Sequence, residues 1–273
     1  MTFASRRIRN GLLAGLVLAA IAIGVRLYDL GLRDASFLTG WLLVAGVALL
    51  TLYNVRKKLP MLPLLDAASW MQVHAYAGVL TLVVFFMHTG LRLPTGALES
   101  LLWLLFVVVA ASGLVGVALT RLVPAHLTRY GERVIFERIP MLRANLAHEV
   151  SELAEDSIDR LASATIADYY QRELQPYFAR PRNVVAHLLG SRRPLQRLCG
   201  GVRSLRRYLG DDGRDILARI EDAVVAKDNL DYQYAWQLAL KGWLFVHVPA
   251  TYALVLVAVV HIALAYAFEG SAL

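Results

Sequence analysis

The chain has 273 residues, of which 58% are hydrophobic and 18% charged, and its mean hydropathy is +0.51. That balance excludes a disordered or collagen-like chain and fits a protein whose solvent is lipid. A net charge of +7 marks the chain as basic, and the single cysteine, Cys199, excludes a disulfide framework and a thiolate-held cluster.

A membrane span needs about 20 mostly apolar residues. Five windows qualify, at 11–30, 37–55, 70–92, 98–120 and 242–267. The first follows Arg6, Arg7 and Arg9 as a secretory signal would, but its apolar run is long. It also lacks a convincing small-residue cleavage site before Tyr28 and Asp29, so it is expected to stay as an anchor helix. The short flanks on the N-terminal side of the membrane carry Arg6, Arg7, Arg9, Arg56, Lys57 and Lys58, against Arg26, Arg33 and Arg92 on the other side. The positive-inside rule then makes the N-terminus cytoplasmic. Helices three and five both run from inside to outside, and the tail ending at Leu273 lies outside.

The third and fifth windows each hold two histidines fourteen positions apart: His74 and His88, then His247 and His261. Fourteen helical steps advance about 21 Å and return to within about 40° of the same face. Each helix therefore offers an imidazole near either membrane surface, and parallel helices bring His74 opposite His247 and His88 opposite His261. Polar groups inside lipid are costly and mark function by default. Two levels of paired imidazoles fit the axial ligation of two haems. With no CxxCH motif for covalent attachment, both are expected to be haem b.

Small residues on these helices leave room for a flat macrocycle, with Gly78 a turn from His74 and Gly113 and Gly116 in the fourth window. Anionic propionates want cations, for which Arg92 is the outer candidate and Arg121 or Lys241 the inner ones. Trp70, Tyr76, Trp243 and Tyr252 suit either macrocycle edges or an interfacial aromatic belt.

The runs HAYAGVLTLVVFFMH, from His74 to His88, and HVPATYALVLVAVVH, from His247 to His261, resemble the di-haem membrane b-type cytochromes. The second to fifth windows look like the four-helix haem bundle of the cytochrome b subunit in quinol-oxidising bc complexes. They are similar also to the membrane domains of ferric reductases and NADPH oxidases. The resemblance implies the four histidines as iron ligands and transmembrane electron transfer as the activity. Against those families this chain has an extra leading helix, no PEWY-type motif, and no flavin or nicotinamide domain.

The expected architecture is therefore an all-α integral membrane protein of a bacterial inner membrane, with a four-helix haem-binding bundle among its five spans. Residues 1–122 supply helices one to four, 123–241 a mostly helical cytoplasmic insert, and 242–273 helix five with a short outer tail. The insert opens on GERVIFERIP, continues in an amphipathic segment at 141–177, and closes with a second at 213–240. Between them crowd Arg180, Arg182, Arg192, Arg193, Arg197, Arg203, Arg206 and Arg207. That surface suits anionic lipid or an acidic redox partner; no nucleic-acid recognition pattern accompanies it. His126, His148 and His187 lie in the insert without paired spacing and read as ordinary surface or structural residues.

Without a cofactor domain of its own, the chain is expected to be one subunit of a hetero-oligomeric redox complex. Its exchange partners would be a c-type cytochrome, an iron–sulfur or flavin subunit, or the quinone pool, for which Glu99 and Asp66 are the available protonatable groups. Two other classes are compatible with the pattern. One is a non-catalytic membrane anchor for redox partners, with its histidines used in packing. The other is a histidine-based metal or proton transporter, a class that places carboxylates beside its histidines; here the nearest are Asp66, Glu99 and Glu269, at helix ends.

Overall fold

A computed structural model describes residues 3–31, 34–58, 66–128, 132–161 and 164–269. Arg33, Gly131 and the tail 270–273 lie outside the described residues, as do the side chains of Arg6, Arg7, Arg56, Lys57 and Lys58. Of the charged flanks used for orientation, Arg9, Arg26 and Arg92 are therefore the described ones.

The described residues form helices and no strands: α1 (Phe3–Leu30), α2 (Ala35–Lys58), α3 (Ala67–Thr89), α4 (Ala97–Leu127), α5 (Ile139–Leu161), α6 (Thr165–Tyr169), α7 (Gln175–Ala179), α8 (Val184–Leu188), α9 (Arg193–Leu205) and α10 (Asp211–Glu269). Single turns of 3-10 helix precede α5 and follow α9, and a π-helical turn, Tyr170–Leu174, joins α6 to α7. Five helices, α1 to α4 and α10, are long and apolar enough to cross a membrane.

Three boundaries differ from expectation. The amphipathic segment expected at 141–177 ends at Leu161 and resumes at Thr165. Helix α4 continues through Pro124 to Leu127, seven residues past 120. The second amphipathic segment and the fifth span form one continuous helix of 59 residues. The breakers near that junction are Gly242 and Pro249. A glycine costs a helix only about 1 kcal/mol, too little to interrupt an otherwise uninterrupted run of helix formers.

The chain divides into two compact units, one of residues 1–117 with 244–273 and the other of residues 118–243. In the first, α3 starts at Asp66, whose carboxylate accepts from the Ser69 amide at 3.3 Å, and stops at Gly90 in the left-handed conformation. Helix α1 is tied to α3 by Asn10 donating to Gln72 at 3.1 Å. Helices α2 and α3 approach closely at Gly46, where a Cβ would sit 2.5 Å from the Thr81 hydroxyl. Phe85 of α3 and Phe106 of α4 stack at 3.9 Å, and Leu254 of α10 with Leu43 and Val47 of α2 pack on them. Four helices thus share one apolar centre. Meanwhile Leu12, Leu114 and Leu256 point outward, as side chains bathed in lipid do.

The second unit is built the other way round. Val150 and Leu153 of α5, Ile166, Leu174, Phe178, Val202 of α9, and Ile220 and Val224 of α10 form its sealed core. On its surface Glu221 takes Arg203 at 2.6 Å and Arg206 at 3.1 Å, so part of the arginine cluster is neutralised within the unit.

Candidate functional site

Helix α3 carries His74 and His88, and the C-terminal half of α10 carries His247 and His261; all four are half-buried. The rings of His74 and His247 lie edge to face with centroids 6.4 Å apart and planes 73° from parallel. Two imidazoles placed trans on one metal have centroids about 6 Å apart, from two bonds of about 2 Å and about 1 Å from each nitrogen to its ring centre. The His74–His247 pair has that spacing.

At His88 and His247 the Nδ1 nitrogens meet oxygens on neighbouring helices. Nδ1 of His88 lies 3.1 Å from the Ser36 carbonyl and 3.0 Å from the Thr39 hydroxyl, both on α2. A carbonyl only accepts, so the proton sits on Nδ1 and the Nε2 lone pair is left for a metal. Nδ1 of His247 lies 2.8 Å from the Ser112 hydroxyl of α4, which itself donates to the Val109 carbonyl at 2.9 Å. Its one proton being used there, the hydroxyl accepts from His247. Nδ1 of His74 is buried without a hydrogen-bond partner, and the Tyr53 ring lies against this imidazole with centroids 5.1 Å apart.

Glycines border the same rings. A Cβ on Gly113 would meet Cε1 of His247 at 3.8 Å, and one on Gly40 would meet Cε1 of His88 at 3.4 Å. The backbone beside each imidazole edge is therefore bare, as a flat group spreading from the ring requires. The close His74–His247 pair, the Nδ1 partners of His88 and His247 and the bare edges together fit a bis-histidine haem.

The remaining sequence candidates lie as follows. Gly116 is buried one turn beyond Gly113, whereas Gly78 faces Leu50 of α2 at 4.0 Å and serves helix packing. Arg92 is exposed just past the end of α3. Lys241 differs from expectation: it pairs with Glu137 at 2.8 Å and lies over the Phe136 ring, so its charge is already matched. Asp66 is occupied as the cap of α3, and Glu99 is exposed in the first turn of α4.

Sequence reasoning missed Thr39, Gly40 and Ser112. It also missed how the insert histidines are used. His148 is exposed beside Glu152, but His126 stacks on Trp236 at 4.1 Å and bonds the Tyr232 hydroxyl. His187 is buried 3.6 Å from Asp228. Burial pushes the His187 imidazole down despite Asp228, and burial likewise holds the Asp228 carboxyl up. Beside them Lys227, fully buried, bonds Asp231 at 2.5 Å and the Arg180 carbonyl at 3.1 Å and covers the Tyr177 ring. The sequence signal was KDNLD at 227–231, three charges set between apolar runs.

Among the described residues no three His, Cys, Asp or Glu side chains converge on one point. Comparison with known protein families, with curated proteins and with solved structures found no match.

Proposed function

We propose that this chain is a di-haem b-type cytochrome that carries electrons across a bacterial inner membrane as one subunit of a larger redox complex. In this reading His74 with His247 hold one haem b and His88 with His261 the other, and α2, α3, α4 and the end of α10 form the haem bundle. The observation that carries it is the pair of imidazoles with centroids 6.4 Å apart, held on helices long and apolar enough to cross a membrane. Bound haems would supply two one-electron centres, one at each histidine level, and the histidines of one helix are about 21 Å apart along it by the helical rise.

The protein's own groups do the rest. The Ser36 carbonyl and the Thr39 and Ser112 hydroxyls fix the imidazole tautomers, which presents Nε2 inward. Phe85, Phe106 and Leu254 fill the space between the levels and exclude water. The N-terminus and the arginine-rich insert lie on the cytoplasmic side, by the flank charges. There the insert meets anionic lipid or an iron–sulfur or flavin partner, with quinol or a c-type cytochrome as the other exchange partner.

The test is electron passage across a sealed bilayer. Vesicles containing the purified chain and trapped ferricyanide are given external dithionite. Trapped ferricyanide should be consumed with the native chain and persist with His74→Ala or His88→Ala. Equal consumption in vesicles without protein, or with both variants, would sink the proposal.

A further inference from the structure

The two histidines with resolved Nδ1 bonds are held by the same device, on different helices. Thr39–Gly40 on α2 faces His88, and Ser112–Gly113 on α4 faces His247; the hydroxyl meets Nδ1 and the glycine borders Cε1. Each hydroxyl donates to a carbonyl of its own helix, Thr39 to Ala35 at 2.9 Å and Ser112 to Val109 at 2.9 Å. This use of its proton leaves the oxygen as an acceptor, so each imidazole must carry its proton on Nδ1. Thr39 is 1% exposed, so water does not compete for the bond.

We infer that Thr39 and Ser112 are positioning residues which lock one axial histidine of each haem in the ligating tautomer and raise its electron donation to iron. The inference rests on the di-haem reading of the same site. A donating Nδ1–H makes imidazole a more basic ligand and favours the ferric over the ferrous form. Removing the Ser112 hydroxyl therefore raises the midpoint potential of the haem concerned, and removing the Thr39 hydroxyl does so by less, because the Ser36 carbonyl at 3.1 Å still accepts from His88 Nδ1. Each haem is affected separately, because Thr39 touches the His88 level and Ser112 the His247 level.

The experiment compares the full chain with Thr39→Val, Thr39→Ser, Ser112→Ala and Ser112→Thr by haem content, redox titration and ferric electron paramagnetic resonance. Thr39→Val and Ser112→Ala should keep two haems per chain. Ser112→Ala should shift the ferric-to-ferrous ratio of one component about threefold, which is about 28 mV upward at 59 mV per tenfold, and Thr39→Val should shift the other component upward by less, because the Ser36 carbonyl remains. The Thr39→Val shift should fall on the component that His88→Ala removes, and the Ser112→Ala shift on the one that His247→Ala removes. Thr39→Ser and Ser112→Thr should titrate as the native chain does. Two haems with unchanged potentials and resonances in Thr39→Val and Ser112→Ala would overturn the assignment of these residues and leave the cytochrome reading standing. Absence of haem from the folded native chain would overturn both.

Discussion

The two units of this chain bury opposite things. In the insert, Ile220 and Val224 are sealed at 0% exposure, while in the membrane unit Leu256 stands 69% exposed and Phe245 83%. Apolar side chains turn inward where the solvent is water and outward where it is lipid. The histidines divide in the same way. His187 sits beside a carboxylate and His126 against Tyr232 and Trp236, as packed groups in a watery protein do. His74 and His247 meet each other and His74 a tyrosine ring, while His88 and His247 meet hydroxyls and a carbonyl. Neutral oxygen partners fix a proton on Nδ1 without making an imidazolium, which is the state a metal ligand needs.

The contrast breaks first at the histidines. His74→Ala and His247→Ala should each remove one whole haem, and the same one; His88→Ala and His261→Ala should remove the other, read as half the native absorbance. Mixed losses would show that the levels are wrongly paired. His126→Ala and His187→Ala should leave both haems in place.

The next effect is in the insert. Lys227→Met leaves Asp231 buried without its cation and should cost about 3–5 kcal/mol, seen as lost hydrogen-exchange protection along the first half of α10. Haem content measured on the same sample should stay at two per chain.

A third comparison separates two kinds of exposure. Leu256→Lys, near the middle of a span, should cost about 2.5–3.5 kcal/mol of insertion and lower the yield in the membrane fraction. Leu189→Lys, 79% exposed in the insert, should change stability by less than about 0.5 kcal/mol. Equal tolerance of both would mean that the exposed face of α10 does not meet lipid.

The smallest effect concerns Cys199. Burial pushes its thiol above the ordinary range, with Glu221 adding to the effect. The raised value favours the folded state below the ordinary thiol pKa, and this contribution is lost as pH rises through the folded value. Alkylation of the native chain at neutral pH should be slow and become fast on denaturation; fast labelling of native protein would contradict the sealed core.

Hydropathy and the fourteen-residue spacing made the five long helices and the four histidines legible, because both depend only on residue order along one helix. What was hidden depends on which faces meet. A threonine and a serine in apolar helices give no signal of their own, and only the packing of α2 on α3 and of α4 on α10 brings Thr39 and Ser112 to an imidazole. The continuity of α10 was hidden for a different reason. The polar-to-apolar switch near residue 241 looks like a boundary, but the helical backbone is indifferent to it. Lys227, Asp228 and Asp231 were hidden within an amphipathic pattern, where charges ordinarily face water. Their mutual pairing and the packing of α7 and α8 against that turn of α10 are what enclose them.

The central claim is that four histidines hold two haems, and a pyridine haemochrome determination on detergent-purified, folded chain measures it directly. The account predicts about two haem b per chain, with a dithionite-reduced spectrum showing both. Folded protein carrying no haem would contradict it.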